Sequence, residues 1–176
     1  MGSDLVKPIV GILTSRTEGL SDVLEKLMPF FGTADIVGDW QAFSHTRYYE
    51  EEMGPRLSRC FVSFDKLVHP DGAATFKAFT MEVEHGLSWG GRRTVNIDPG
   101  YIDANKVVLI SVKGGGHKIC LREGIYADML LWYNKGWEAF PWAFPDFRDG
   151  GLFEIFARMR KRYKEQARMS HLPSIH

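Results

Sequence analysis

Hydrophobic residues recur along the chain with two different periods, and the changes between them predict the order of the elements. Residues 8–14 form a nearly continuous apolar run, which is typical of a strand covered on both faces. From Leu20 to Met28 the apolar positions follow helical spacing, and a weaker strand is predicted within residues 33–43. Residues 58–64 alternate as a third strand, and residues 76–87 carry a second helical stripe.

The second half of the chain is predicted to be mostly β structure. Residues 94–98 alternate with a period of two, and residues 107–112 are apolar enough for a buried strand. The triplet of glycines at 114–116 predicts a hairpin that returns through residues 117–121. Another strand follows at 125–133, and a closing helix begins after Gly150 and Gly151.

Two local patterns predict specific backbone features. The residues Asp98-Pro99-Gly100-Tyr101 fit a type II turn, because proline sets φ at the second position and glycine accepts positive φ at the third. The pattern Ser15-x-x-Glu18 fits a capping box at the start of the first helix. An anion site at this helix start, helped by Arg16, is the alternative to an ordinary capped helix.

The order strand, helix, strand, strand, helix, strand matches the split βαβ arrangement of ferredoxin-like folds. We therefore predict an α+β protein with a single domain over residues 1–176. Its sheet is expected to be antiparallel or mixed, with helices mainly on one face. A ferredoxin-like N-terminal part is followed by a C-terminal β-meander and a helix.

Composition excludes several classes of protein. Of the 176 residues, 44% are hydrophobic and 25% are charged, as in an ordinary globular chain, and the formal net charge is zero. There is accordingly no global attraction for nucleic acid or membrane. No apolar run approaches the roughly 18 residues of a membrane helix, and a cytoplasmic location is expected. Cys60 and Cys120 are predicted to be reduced core residues.

The common catalytic signatures are missing from the sequence. There is no His-Glu-x-x-His, Gly-x-Ser-x-Gly, Gly-x-Gly-x-x-Gly or Cys-x-x-Cys, and no phosphate-cradling loop of the Gly-x-x-x-x-Gly-Lys-Ser/Thr type. No cofactor or metal is assigned from motifs.

A polar constellation remains on two of the predicted strands. Asn96 and Asp98 share the polar side of one strand, and Tyr126 and Asp128 share one side of another, with His117 at the glycine hairpin. If these strands are neighbours, the two carboxylates and the imidazole converge near one end of the sheet. Such a set could act in general acid–base catalysis or bind a hard metal ion. The alternative is that Asp98 accepts turn N–H groups, His117 lies in solvent and Asp128 pairs with a nearby cation.

The aromatic segment 137–147 adds a candidate lid. Trp142 and Phe144 either cover a sheet edge or roof a ligand. Asp146 and Arg148 follow at once, and an arginine beside an aromatic loop suits carboxylate or phosphate recognition. An Asp146–Arg148 pair that only orders the loop is the alternative.

Several motifs together carry a resemblance to a known family. They are Pro8-Ile9-Val10-Gly11-Ile12-Leu13, Tyr48-Tyr49-Glu50-x-Glu52-Met53-Gly54, Phe61-x-Ser63-Phe64, Val95-Asn96-Ile97-Asp98-Pro99-Gly100-Tyr101, Gly124-Ile125-Tyr126-Ala127 and Trp142-x-x-Pro145-Asp146-x-Arg148. On these residues the chain resembles an uncharacterised microbial family, domain of unknown function 4416. The resemblance implies no established activity, although a nucleotide-binding label is sometimes attached to such proteins.

The resemblance also sorts the candidate residues. Matches to the family pattern are found at Asn96, Asp98, Tyr101, Tyr126, Asp146 and Arg148. Phe144, Phe147 and Cys120 stand where the pattern has tyrosine, and Asp128 replaces glutamate. The candidate ligand-binding residues are therefore Asn96, Asp98, Tyr101, His117, Tyr126, Asp128, Trp142, Asp146 and Arg148.

Three functions compete for this sequence. The first is a small-molecule binding domain for a nucleotide or phosphorylated metabolite. The second is a divalent-metal-dependent phosphoester hydrolase that uses Asp98, Asp128 and His117. The third is an RNA- or protein-interaction module on the basic closing helix, which carries six basic and two acidic residues, including Arg158 and Arg160. Nucleic acid is the less favoured partner.

Overall fold

A computed structural model describes residues 5–170, and within this range the chain forms nine strands of one sheet and five α-helices. The strands are β1 (Lys7–Thr14), β2 (Ala34–Val37), β3 (Gln41–Ala42), β4 (Ser58–Phe64), β5 (Val95–Ile102), β6 (Lys106–Ser111), β7 (Ile119–Arg122), β8 (Ile125–Tyr133) and β9 (Trp137–Ala139). The helices are α1 (Leu20–Phe31), α2 (Glu50–Met53), α3 (Ala73–Gly86), α4 (Pro145–Arg148) and α5 (Phe153–Met169).

The sheet runs in the order β2-β4-β1-β5-β6-β8-β7, and its strand pairs are antiparallel. The first four of these strands, β2, β4, β1 and β5, stand in the ferredoxin-like order. The predicted α+β class, antiparallel sheet and ferredoxin-like N-terminal part are confirmed.

The helices divide between the two faces of the sheet, although the sequence predicted them mainly on one. Val23 and Leu27 of α1 and Phe76 of α3 pack in one apolar cluster, and Phe156 and Met159 of α5 pack in the other. Every residue of β1 is buried, so both faces of the central strands need a cover. Among residues 5–170, none of the helices has the length and apolar character needed to cross a membrane.

The glycine triplet at 114–116 does not form the predicted hairpin. β6 pairs with β8, and β7 pairs with the other edge of β8, so the triplet carries the chain past β8. The hairpins of the meander are instead β7–β8 and β8–β9. The hydrophobic pattern located the strands but not their partners. The apolar β6 lies next to the partly buried β8, and the exposed β7 takes the edge of the sheet.

The predicted turn at Asp98-Pro99-Gly100-Tyr101 is wrong, because β5 continues as a strand to Ile102. Val10 of β1 lies opposite Pro99, and Gly11 lies opposite Asp98, so pairing with β1 keeps the segment extended. Gly100 serves a close approach between strands, since an added Cβ would overlap the Val108 carbonyl oxygen of β6.

Two further local predictions are corrected. The residue before α1 is Gly19, and the Ser15 hydroxyl donates to the Met53 carbonyl oxygen at 2.6 Å, so no capping box forms. Cys60 is buried as expected, whereas Cys120 is exposed because β7 lies at the edge of the sheet.

Candidate functional site

A cleft opens where β5 and β6 part. Their pairing covers Gly100 to Ile102 and stops at the Gly100–Leu109 pair, so the strands diverge beyond it. The cavity there measures about 290 Å³. Because the sheet is open at this fork, Lys77 and Glu84 from α3 and Phe144 from the opposite layer line the same space.

β6 does not pair with β5 in the fork, and two buried side chains of α3 form hydrogen bonds with the backbone of β5 there instead. Ile97 donates its N–H to Glu84 Oε1 at 2.6 Å and accepts from Lys77 Nζ at 3.0 Å. Lys77 and Glu84 are 5% and 4% exposed, and their charged atoms lie 3.9 Å apart. Hydrogen-bonding groups alternate along a strand, so Pro99 faces the same edge as Ile97 and offers no N–H there. Because Pro99 has no N–H to donate to β6, the pairing between β5 and β6 stops next to it, at Gly100.

A chain of polar contacts runs along one wall of the cleft. Arg93 makes a bidentate contact with Glu52, with Nε–Oε1 at 2.9 Å and Nη2–Oε2 at 2.7 Å. Arg93 Nη1 donates to Asn96 Oδ1 at 3.1 Å, and Asn96 Nδ2 donates to Asp98 Oδ2 at 3.0 Å. The hydrogen bonds to Glu52 raise the pKa of Arg93 and lower that of Glu52. Asn96 and Asp98 are therefore held in fixed orientations.

Two lysines supply positive charge at the wall formed by the end of β6. Lys118 Nζ donates to the Lys113 carbonyl oxygen at 2.9 Å and to Ser111 Oγ at 3.1 Å. Lys113 Nζ lies 3.7 Å from the ring centroid of Tyr48. Across residues 5–170, neither lysine has a carboxylate within 4.0 Å, although Lys118 interacts with Asp128 at longer range.

Asp128 of β8 also lines the cleft. Its Oδ2 lies 3.5 Å from His117 Nε2, and the His117 ring stacks on Trp142 with centroids 5.4 Å apart. Trp142 in turn donates its indole N–H to the Met129 carbonyl oxygen at 3.0 Å. Burial raises the pKa of Asp128 by more than Lys118, His117 and the Trp142 indole lower it.

A buried ion pair anchors the loop that carries Phe144. Arg59 of β4 pairs with Asp146 and lies among aromatic rings, with its guanidinium carbon 4.8 Å from the Phe43 centroid and 5.6 Å from that of Phe144. Burial lowers the pKa of Arg59 to about 10, against the opposing effects of Asp98 and Tyr49. The Asp146–Arg148 pair considered from the sequence does not form, because Asp146 turns inward to Arg59.

The structure brings part of the predicted set together. Asn96, Asp98 and Asp128 line one cleft, and His117 and Trp142 stand behind Asp128. Three other predicted residues are not among those that line the cleft. Tyr126 lies beside Gly114, and Tyr101 packs against the apolar cluster that includes α3. Arg148 is exposed at the end of α4. Asp146 holds the lid segment and does not line the cleft.

Sequence reasoning missed the charged residues of α3 and the arginine before β5. Lys77 and Glu84 are seven residues apart and share one helix face with the fully buried Thr80. This polar stripe, next to the apolar stripe of the same helix, could have predicted buried polar residues on α3. Arg93 carried no such signal, because its partner Glu52 is 41 residues away in the sequence.

The oxygen and nitrogen ligands do not assemble into a metal site in the described part of the chain. No group of three or more His, Cys, Asp or Glu side chains there is placed to hold an ion. Asp98 is hydrogen-bonded to Asn96 and lies 3.8 Å from Lys77 Nζ.

Comparison with known proteins identifies a family. The family model described as "Domain of unknown function (DUF4416)" matches residues 4–163. No curated protein and no solved structure matches the chain.

Proposed function

The chain belongs to the family described as Domain of unknown function (DUF4416), and we propose that it is a small-molecule binding domain for a nucleotide or another phosphorylated metabolite. The ligand would occupy the cleft between β5 and β6. The observation that carries the proposal is the pair of lysines, Lys113 and Lys118, whose charges face the cleft without a carboxylate partner in residues 5–170.

The remaining lining suits a ring attached to that anion. Tyr48 is 64% exposed and Phe144 is 44% exposed, so two exposed aromatic side chains line the cleft. Met81 and Leu109 add apolar surface. Ligand pockets combine such apolar walls with a few convergent polar groups and measure roughly 300–1,000 Å³. At about 290 Å³ the cleft fits one ring system and one phosphate better than a dinucleotide.

The two competing functions receive less support. The hydrolase hypothesis needs Asp98, Asp128 and His117 on one ion, but Asp98 faces Asn96 and Lys77 while Asp128 faces His117. The interaction module needs the arginines of α5 free. Arg160 donates to the Ala104 carbonyl oxygen at 2.7 Å, and Arg162 lies 3.4 Å from Asp35. The cytoplasmic location stays a prediction.

Isothermal titration calorimetry with AMP, UMP, ribose 5-phosphate and inorganic phosphate tests the proposal. We expect at least one of the organic phosphates to bind, and its affinity to fall about tenfold or more when both Lys113 and Lys118 are replaced with Gln, because each charge-assisted hydrogen bond contributes roughly 1.5–3 kcal/mol. Lys161→Gln, the same change on an exposed position of α5, is the matched control and should bind as the unaltered protein does. Absence of binding by every probe, or equal binding by the double variant, contradicts the proposal.

A further inference from the structure

We infer that Tyr49 and Asp98 together bind a sugar hydroxyl of the ligand, the phenol donating a hydrogen bond to the hydroxyl oxygen and the carboxylate accepting one from it. The inference rests on the proposed function and deepens it, because it names the substrate class. The ligand is then an organic phosphate that carries a free sugar hydroxyl, such as a pentose phosphate or a ribonucleotide.

Asp98 offers an oxygen that a ligand can reach. Its side chain lines the cleft and is 25% exposed. Oδ2 accepts from Asn96, whereas Oδ1 accepts no hydrogen bond within residues 5–170. Lys77 Nζ lies 3.8 Å from Oδ1, beyond hydrogen-bonding distance, and donates to the Ile97 carbonyl oxygen instead. In this part of the chain Oδ1 is not among the side-chain atoms that are both buried and unpartnered, so it keeps accessible surface.

Tyr49 offers a donor in the same cleft, at the residue before α2. Its hydroxyl has no hydrogen-bond partner among the described residues and is not one of the buried unpartnered atoms there. Burial, and next the charge of Asp98, raise the pKa of Tyr49 to about 12, so the hydroxyl keeps its proton at neutral pH. Lys113 Nζ lies 5.5 Å from the Tyr49 ring centroid, which places this donor beside a lysine of the phosphate site.

One network of side chains holds both groups. Arg93 Nη1 donates to Asn96 Oδ1, which orients the amide so that Nδ2 donates to Asp98. Arg93 also binds Glu52, three residues after Tyr49. The segment that carries Tyr49 and the strand that carries Asp98 are thus tied to the same guanidinium. Groups held in this way are preorganised for a ligand, as binding sites require.

A donor and an acceptor that are both uncommitted match a hydroxyl better than other polar groups. A hydroxyl can accept from Tyr49 and donate to Asp98 at the same time. An ammonium group only donates, which would leave the phenol unmatched. A carboxylate or a second phosphate would be repelled by the charge of Asp98. The pair therefore favours the hydroxylated part of an organic phosphate.

Calorimetric titration with two matched pairs of compounds tests the inference. The pairs are ribose 5-phosphate with 2-deoxyribose 5-phosphate, and AMP with 2′,3′-dideoxy-AMP. The hydroxyl ratio is the affinity of the hydroxylated compound divided by that of its deoxy counterpart, and it cancels the contribution of the phosphate. We expect a ratio of about ten or more for at least one pair, because hydrogen bonds to charged groups are among the strongest.

Two variants assign this ratio to the inferred residues. In Asp98→Asn the amide oxygen stays with Asn96, and the NH₂ that then faces the cleft cannot accept from a hydroxyl. Tyr49→Phe removes only the phenol oxygen. Each change should lower the hydroxyl ratio by about threefold or more. Tyr133→Phe also removes a hydroxyl without a hydrogen-bond partner in residues 5–170, but outside the cleft, and as the matched control it should leave the ratio unchanged.

The outcomes separate the inference from the proposed function. A ratio near one for both pairs, with binding that still depends on Lys113 and Lys118, overturns the inference and leaves the proposed function standing. A high ratio that persists in both variants also overturns it, because the hydroxyl would then be bound elsewhere. If Asp98→Asn fails to fold, Tyr49→Phe decides alone. If no phosphorylated probe binds, the proposed function and the inference fail together.

Discussion

Replacing Lys77 with Met lowers the free energy of unfolding by about 2–3 kcal/mol, because it leaves the buried Ile97 carbonyl oxygen without its donor and removes one cation from the buried Glu84 carboxylate, which keeps Arg93 Nη1 at 3.4 Å. Lys77 Nζ donates to the Ile97 carbonyl oxygen and lies 3.9 Å from Glu84. Burial already raises the pKa of Glu84, against the opposing charge of Lys77. Urea denaturation followed by circular dichroism measures the loss.

Two further variants define what the Lys77 result means. Lys26→Met changes an exposed lysine of α1 and should alter stability by less than about 0.5 kcal/mol. The double variant Lys77→Met with Glu84→Gln should recover part of the loss, since Gln retains the acceptor for the Ile97 N–H while removing the charge. A Lys77→Met loss below about 1 kcal/mol would show that α3 does not satisfy the edge of β5 in the way described.

Gly100→Ala is expected to destabilise the fold by about 3 kcal/mol, at the upper end of the usual cost of overpacking. The added Cβ would overlap the Val108 carbonyl oxygen and lie 2.9 Å from the Leu109 Cα. Both contacts are with backbone, so relief requires β6 to move away from β5 and to disturb its pairing with β8. Because Gly100 is the last paired residue before the fork, the same movement would deform the floor of the cleft.

Gly116→Ala is the control for this substitution. Gly116 is exposed, and an added Cβ there meets nothing within 4 Å. Its effect should stay within about 0.5 kcal/mol. Thermal and urea unfolding of both variants decide the matter, and Gly100→Ala stability close to that of Gly116→Ala would refute the close approach of β5 and β6.

Burial patterns predicted the elements well because each pattern follows from the face that an element buries. The alternation at 58–64 and the stripe from Leu20 to Met28 correspond to β4 and α1. Local rules failed where a distant partner decided the conformation. Pro99 and Gly100 fit a turn in isolation, but pairing with β1, some 90 residues earlier in the chain, keeps them in a strand.

The candidate site was predictable to a similar extent. Asn96, Asp98 and Asp128 were recognised because polar residues at alternate strand positions stand out. Lys77 and Lys113 were not, since their importance depends on a fork between β5 and β6 that sequence does not reveal. Arg59 was missed for the same reason: its partner Asp146 reaches it through tertiary packing.

The central claim is that the fork between β5 and β6 is a ligand site, and an NMR titration of the ¹⁵N-labelled protein with AMP tests it most directly. We predict that the largest amide shift changes fall on Ile97, Ser111 and Lys113, with little change along α5. Shift changes centred elsewhere, for example on Arg16 and Trp89 in the cavity beside α1, or none at millimolar AMP, would contradict the account.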